Sequence, residues 1–271
     1  KKPKKPKKPK CGPYDLDCTD SRRLSDAIPK HYRSFDGARS AGDTAVLWQV
    51  HMAGGAIVQL DASFCRGLVA TADTGSQYHD RAAQESKLAV FNVGEGRFVN
   101  VDATTPVGIL RARNAGFLGS GLADIVITPY VYEASDLFSE SSQGNLFAVL
   151  TNPIERAVRM FYYLQESYNG EDPGYPKDFK SWTLDRYAQS TMIENNWMTR
   201  FLSNNIWGAI GDDDFEVAVN LLKDKFMIGL SSNMTETVRR YEIFFGWKSN
   251  TTCLESYLHD EASIVKSVGE R

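Results

Sequence analysis

The feature that most constrains this chain is one stretch near its first quarter. Thr44–Val50 reads TAVLWQV, a short apolar and β-rich run suited to a strand buried on both faces. His51-Met52-Ala53-Gly54-Gly55 follows, and then Ala56–Arg66, with Ile57, Leu60 and Phe64 at helical spacing. A buried strand, a glycine loop and a helix in that order belong to α/β proteins built on a parallel sheet. Glycines at such a junction let backbone N–H groups approach an anion, and the helix N-terminus adds a favourable field. The same glycines also serve a plain tight turn, and the nucleotide-loop pattern G-x-x-x-x-G-K-[ST] is absent.

The rest of the chain repeats the alternation. Strands are expected at Leu88–Val93 and Phe98–Val101, joined by Gly94-Glu95-Gly96, and at Asp124–Thr128, Asn145–Leu150 and Met227–Leu230. Helices are expected at Pro106–Ala115, from Pro153 through PIERAVRMFYYLQES, and over 183–190, 193–203, 213–224 and 234–245. The expected fold class is therefore α/β, with a central parallel sheet and a helical C-terminal half. Trp182, Trp197, Trp207 and Trp247 read as core. No run of 18 apolar residues offers a membrane span, and no secretory leader is read in the sequence.

Charge divides the chain. Residues 1–10, KKPKKPKKPK, carry seven lysines; the remaining 24 basic residues face 34 acidic ones, a net of −10. An acidic body gives no basic face for nucleic acid. The proline-spaced tail reads as extended and solvated, either a spacer or a contact to an anionic surface. Residues 1–43 are expected to form a linker and an irregular wrapping segment ahead of a domain at 44–271. Cys11 and Cys18 flank a short Pro/Gly/Asp loop and are expected to pair, while Cys65 reads either as a buried thiol or as a partner for Cys253. Two N-x-[ST] sequons, at Asn233 and Asn250, make these asparagines candidate glycosylation sites. Sequons and an even cysteine count point to an oxidising, secretory compartment or the extracellular space.

Leu146–Leu164, LFAVLTNPIERAVRMFYYL, taken with the upstream HMAGG, resembles the sulfotransferase family that uses 3′-phosphoadenosine 5′-phosphosulfate (PAPS), in its Golgi and algal forms. That family carries H-K-A-G-G-T after its first strand and L-R-D-P-x-E-R-A-x-S-x-[FY]-x-Y-L on a later strand–loop–helix. Gly121–Asp124, Asn195–Leu202, Phe226–Leu230 and Arg239–Tyr241 are similar to further family stretches, so the resemblance spans roughly 44–257. It implies a three-layer, P-loop-like α/β fold, PAPS as donor and a hydroxyl on a glycan or small molecule as acceptor. It also implies a cofactor site at Ala53, Gly54, Gly55, Ala56, Ile57, Thr151, Arg159 and Arg200.

The departures from the pattern matter as much as the matches. The family's loop lysine corresponds to Met52, its 3′-phosphate arginine to Thr151, and its following serine to Arg159. A hydroxyl and a guanidinium have exchanged places, and a cation that would stabilise charge on the leaving phosphate is gone. His51 and Glu133 are the candidate bases; His79 stands in a polar loop, less well placed. Two readings follow: an active transferase, or a catalytically inactive member with a binding or structural role in an assembly. Scattered histidines and the absence of Cys-x-x-Cys argue against zinc.

Overall fold

The structure is a computed structural model, and it describes residues 31–36, 40, 42–72, 87–117, 120–167, 175–248, 250 and 252–258. Cys11, Cys18, His79 and the lysine tail lie outside the described residues. The sheet has seven strands: β1 (Thr44–Trp48), β2 (Val69–Ala72), β3 (Val90–Val93), β4 (Gly96–Asp102), β5 (Ile125–Thr128), β6 (Gly144–Leu150) and β7 (Phe226–Leu230). Their spatial order is β3-β4-β2-β5-β1-β6-β7, and β3 runs antiparallel to β4 while the other pairs are parallel.

Alternation along the central strands produces the three layers. Val46 and Trp48 of β1, Val126 of β5, and Leu146 and Ala148 of β6 join the core on one face. Ala45 and Leu47, Ile125 and Ile127, and Phe147 and Val149 join the core on the other. Side chains one residue apart on a strand point to opposite faces, so strands apolar at every position must be covered twice.

The helices supply those covers. The first face packs against α2 (Pro106–Asn114), α3 (Val131–Ala134), α6 (Trp197–Ser203) and α7 (Asp212–Lys225) through Ile109, Ala112, Val131, Leu202, Ala218 and Leu221. The second packs against α1 (Gly55–Leu60) and α8 (Met234–Phe245) through Ile57, Val58, Val238, Tyr241 and Phe245. α1 continues as a π turn, Asp61–Cys65. α4 (Pro153–Ser167) and α5 (Leu184–Ala188) pack on a satellite cluster of Phe161, Phe179 and Tyr187. Among the described residues no helix is long and apolar enough to cross a membrane.

Ahead of β1, Tyr32 is fully buried and its hydroxyl donates to the Val131 carbonyl at 2.7 Å, so this segment packs on the body. Trp207 is 73% exposed, against the expectation that it lies in the core; it sits in a loop between α6 and α7. The large tryptophan of the core is Trp48, at the end of β1. Cys65 is disulfide-bonded to Cys253, with Cα atoms 5.7 Å apart, which settles the alternative left open by sequence.

Candidate functional site

The carboxyl ends of β1, β5, β6 and β7 lie side by side, and the loops that leave them build the site. In open α/β sheets this edge is where ligands bind. After β1 the chain turns through Met52, at φ 59°, and Gly54, at φ 97°. A Cβ on Gly54 would stand 2.6 Å from Met234 Cε, the movable end of a flexible side chain, so it is the backbone angle that favours glycine here.

The resemblance places Ala53–Ile57 at the cofactor site and implies that the amides of Gly54–Ile57 face a phosphate. Two amides of the stretch 53–57 are used internally: Ala53 N donates to Val50 O at 3.2 Å, and Ile57 N to Gly54 O at 3.2 Å. Gly54, Gly55 and Ala56 stand at the entry to α1, where helical N–H groups have no acceptor within the helix. Of these three residues only Ala56 is exposed.

The β6 end meets the β7 end here. Ser231 Oγ donates to Thr151 Oγ1 at 2.7 Å, which ties the two loops together. Asn152 caps α4, its Oδ1 accepting from Ile154 N at 2.9 Å. Arg159 faces Glu155 at 3.7 Å across one turn and is 29% exposed.

Arg156 proves to be the cation at the centre of the arrangement. Its Nε donates to the His51 carbonyl at 2.8 Å, its Nη2 contacts the Glu194 carboxylate, and its guanidinium lies 5.6 Å from the Trp197 ring centroid. Trp197 in turn stacks on Trp48 at 5.7 Å and meets the His51 ring edge-on at 6.0 Å. Arg156 thus joins the β1 loop, α4 and the entry of α6. A cavity of about 320 Å³ opens between these elements, lined by Pro153, Arg156, Met160, Ile193, Glu194 and Trp197 among others.

Arg200 does different work from that expected. Its Nε donates to Asn195 O at 2.9 Å, and its Nη1 donates to Gly208 O at 2.7 Å, with Asn205 O and Ile206 O farther off. Those bonds brace the loop after α6 and use the donors a phosphate would need. Glu133 is half-buried on α3, the turn that follows β5. Burial pushes its carboxyl above the ordinary range, and the nearby Asp136 adds to this, against a lowering backbone hydrogen bond. His51, exposed on the neighbouring β1 loop, and Glu133 thus stand beyond adjacent strand ends.

Asn233 and Asn250 are both exposed, each at the entry to a helix. Among the described residues no group of three or more His, Cys, Asp or Glu side chains is placed to hold a metal ion. No family model matches the chain, and no curated protein matches it. The fold and site define the class: a three-layer α/β protein with a glycine loop at the carboxyl edge of a mostly parallel sheet.

Proposed function

We propose that the chain is a sulfotransferase-like protein whose donor-nucleotide cleft keeps its backbone form but has lost most of its free positive charge. It binds a PAPS-type nucleotide weakly and transfers sulfate slowly. The reading rests on the motif resemblance together with one observation: two arginines around the cleft, Arg156 and Arg200, are committed to protein partners. Arg156 serves Glu194 and the His51 carbonyl and Arg200 serves loop carbonyls, while Arg159 stands 3.7 Å from the exposed Glu155 carboxylate. Met52 stands where the family's loop lysine would be.

In the reaction, an acceptor hydroxyl oxygen attacks sulfur, the bond from sulfur to the phosphate oxygen breaks, and the hydroxyl proton passes to a base. His51 or Glu133 takes that proton. Glu133 suits the role because burial raises its proton affinity towards working pH. The amides of Gly54, Gly55 and Ala56 hold the 5′-phosphosulfate, and Thr151 offers a hydroxyl nearby. The acceptor is a hydroxyl of a glycan or a small molecule, met in the secretory lumen or Golgi. The Cys65–Cys253 disulfide favours such an oxidising compartment.

A second reading, a non-catalytic subunit of an assembly, is favoured by the same committed arginines. Calorimetric titration with 3′-phosphoadenosine 5′-phosphate and an assay of radiolabelled sulfate transfer separate the two. Weak binding with slow transfer supports the first reading; binding without transfer supports the second. Met52→Lys should tighten the nucleotide about 10- to 100-fold, the worth of one charge-assisted contact. Tight binding and fast turnover by the unaltered chain would refute the loss of charge, and no binding by either form would refute the cleft.

A further inference from the structure

Asn250, the first residue of its sequon, is hydrogen-bonded beside the disulfide. Cys65 ends the π turn after α1, and Cys253 lies in the helical stretch 252–258. The Asn250 carboxamide spans the two: Nδ2 donates to the Cys65 carbonyl at 3.1 Å, and Oδ1 accepts from Cys253 N at 3.4 Å. The neighbouring Arg66 strengthens the clamp. Its Nη1 donates to the Lys248 carbonyl, while Asp61 and Glu242 hold the rest of the guanidinium at 3.0 and 2.7 Å. Leu254 is 2% exposed within the core on this face. Asn233 differs: it is exposed, and its hydrogen bond runs through Oδ1, which accepts from Glu236 N at 3.3 Å.

We propose that Asn250 is a glycan acceptor only while Cys65 and Cys253 are still thiols, so that its occupancy is set by a race between glycosyl transfer and disulfide closure. The proposal rests on the reading that the chain enters an oxidising secretory compartment. In transfer, Asn250 Nδ2 attacks the anomeric carbon of a lipid-diphosphate-linked oligosaccharide. A C–N bond forms, the C–O bond to the diphosphate breaks, and one amide proton is lost to a base of the transferase. In closure, the two thiols give two electrons and two protons to a disulfide-bearing oxidoreductase, which leaves as a dithiol.

The two steps exclude each other in one direction. Transfer needs Nδ2 presented on a locally extended chain. Closure fixes Cys253 three residues along and docks Nδ2 on the Cys65 carbonyl. Cys65 precedes Cys253 by 188 residues, so it is already in the lumen when Cys253 arrives. Asn233 carries no such clamp and is not subject to the race.

The test is cell-free translation into microsomes of the chain fused to a cleavable secretory leader, which imposes the compartment whatever the natural location. Single-sequon forms, Asn233→Gln and Asn250→Gln, assign each glycan by its endoglycosidase-sensitive gel shift. Under oxidising conditions Asn250 should be partly occupied. Occupancy should rise about two-fold with dithiothreitol, as for two steps of comparable rate competing for one chain. Cys65→Ser, which leaves the sequon intact, should give the same rise without reductant. Leu202→Ala loosens the core on the opposite face with both cysteines present, and should leave Asn250 unchanged. Equal Asn250 occupancy in oxidising and reducing translations overturns the proposal. So does an unchanged level in Cys65→Ser, or an equal rise in Leu202→Ala. A failure of the compartment reading shows separately, as absence of both glycans from the chain made in its own cells.

Discussion

On the proposed reading of the cleft, Glu194→Gln should weaken the protein and tighten binding of a PAPS-type nucleotide, two effects of opposite sign from one atom change. Glu194 contacts Arg156 Nη2, and the two side chains are 26% and 13% exposed. At an effective dielectric near 20, charges about 4 Å apart attract by roughly 4 kcal/mol, and desolvation cancels much of that. Neither buried atom of the contact, Arg156 Nη2 or Glu194 Oε2, makes an aligned hydrogen bond, so the pair gains little beyond its Coulomb attraction. After the substitution to glutamine, Arg156 keeps the His51 carbonyl and the Trp197 face. The expected stability loss is therefore about 1–2 kcal/mol, read as a lower midpoint in urea.

The gain comes from the released charge. An arginine beside the β1 loop without its carboxylate can make one charge-assisted contact to phosphate, worth roughly 1.5–3 kcal/mol, or about 10- to 100-fold in Kd. Calorimetry with 3′-phosphoadenosine 5′-phosphate measures it, and the gain should shrink as salt rises. Arg156→Met is the counterpart: it lowers stability by leaving Glu194 unpaired and gives no gain in binding. If Glu194→Gln leaves the nucleotide affinity unchanged at low salt, Arg156 is too remote from the phosphates and charge neutralisation is not what weakens the cleft.

Three further outcomes test the structure around the site. Arg66→Met should cost about 3–5 kcal/mol in urea unfolding, because Asp61 and Glu242 would be left buried without a counter-ion; burial works against the Arg66 charge, but these two carboxylates outweigh it. Replacing all three with Met and Leu together should recover most of the loss. Glu133→Gln should stabilise at pH 7: the folded-state pKa is raised, so the fold loses stability as pH rises through it, and the advantage of glutamine should vanish below the ordinary value of 4.5. Urea midpoints across that range decide it. Cys253→Ser should lower stability by up to about 5 kcal/mol, the chain-entropy figure for closing a loop of 188 residues, in non-reducing calorimetry.

Much of the sheet is legible in the sequence because its strands are short, apolar at every position and bounded by turns, as at TAVLW and NLFAVL. β2 is not: Val69–Ala72 reads VATA, with no large apolar residue after the first, although Gly67 precedes it and Asp73-Thr74-Gly75-Ser76 follows it in sequence. What makes it a strand is tertiary, since Thr71 Oγ1 accepts from Ile127 N of β5 at 2.9 Å. The helix expected at 193–203 begins only at Trp197, because Asn196 adopts φ 51° and breaks the turn. Arg156 is hidden for a similar reason. Its neighbour in sequence is Glu155, but the carboxylate that takes its charge is Glu194, and only the fold brings α4 against the entry of α6. The cysteine pair likewise joins segments that no local pattern connects.

The loop itself shows why shape and charge separate in this site. Gly54 is favoured by its φ of 97°, a backbone requirement that involves no ligand. An alanine here would meet left-handed strain of roughly 1–2 kcal/mol, while the Met234 methyl beside it could swing aside. Asn152 is kept as a helix cap and Pro153 as the first residue of α4, again on structural grounds. Residues held by the fold persist whether or not a nucleotide is bound. Position 52 has no such duty: Met52 is partly exposed, and a lysine could occupy the same backbone. On the proposed reading, a cation of the cleft has only its ligand to hold it, so HMAGG and NPIERA can stay in place while Met52 occupies the lysine position and Arg156 turns to Glu194.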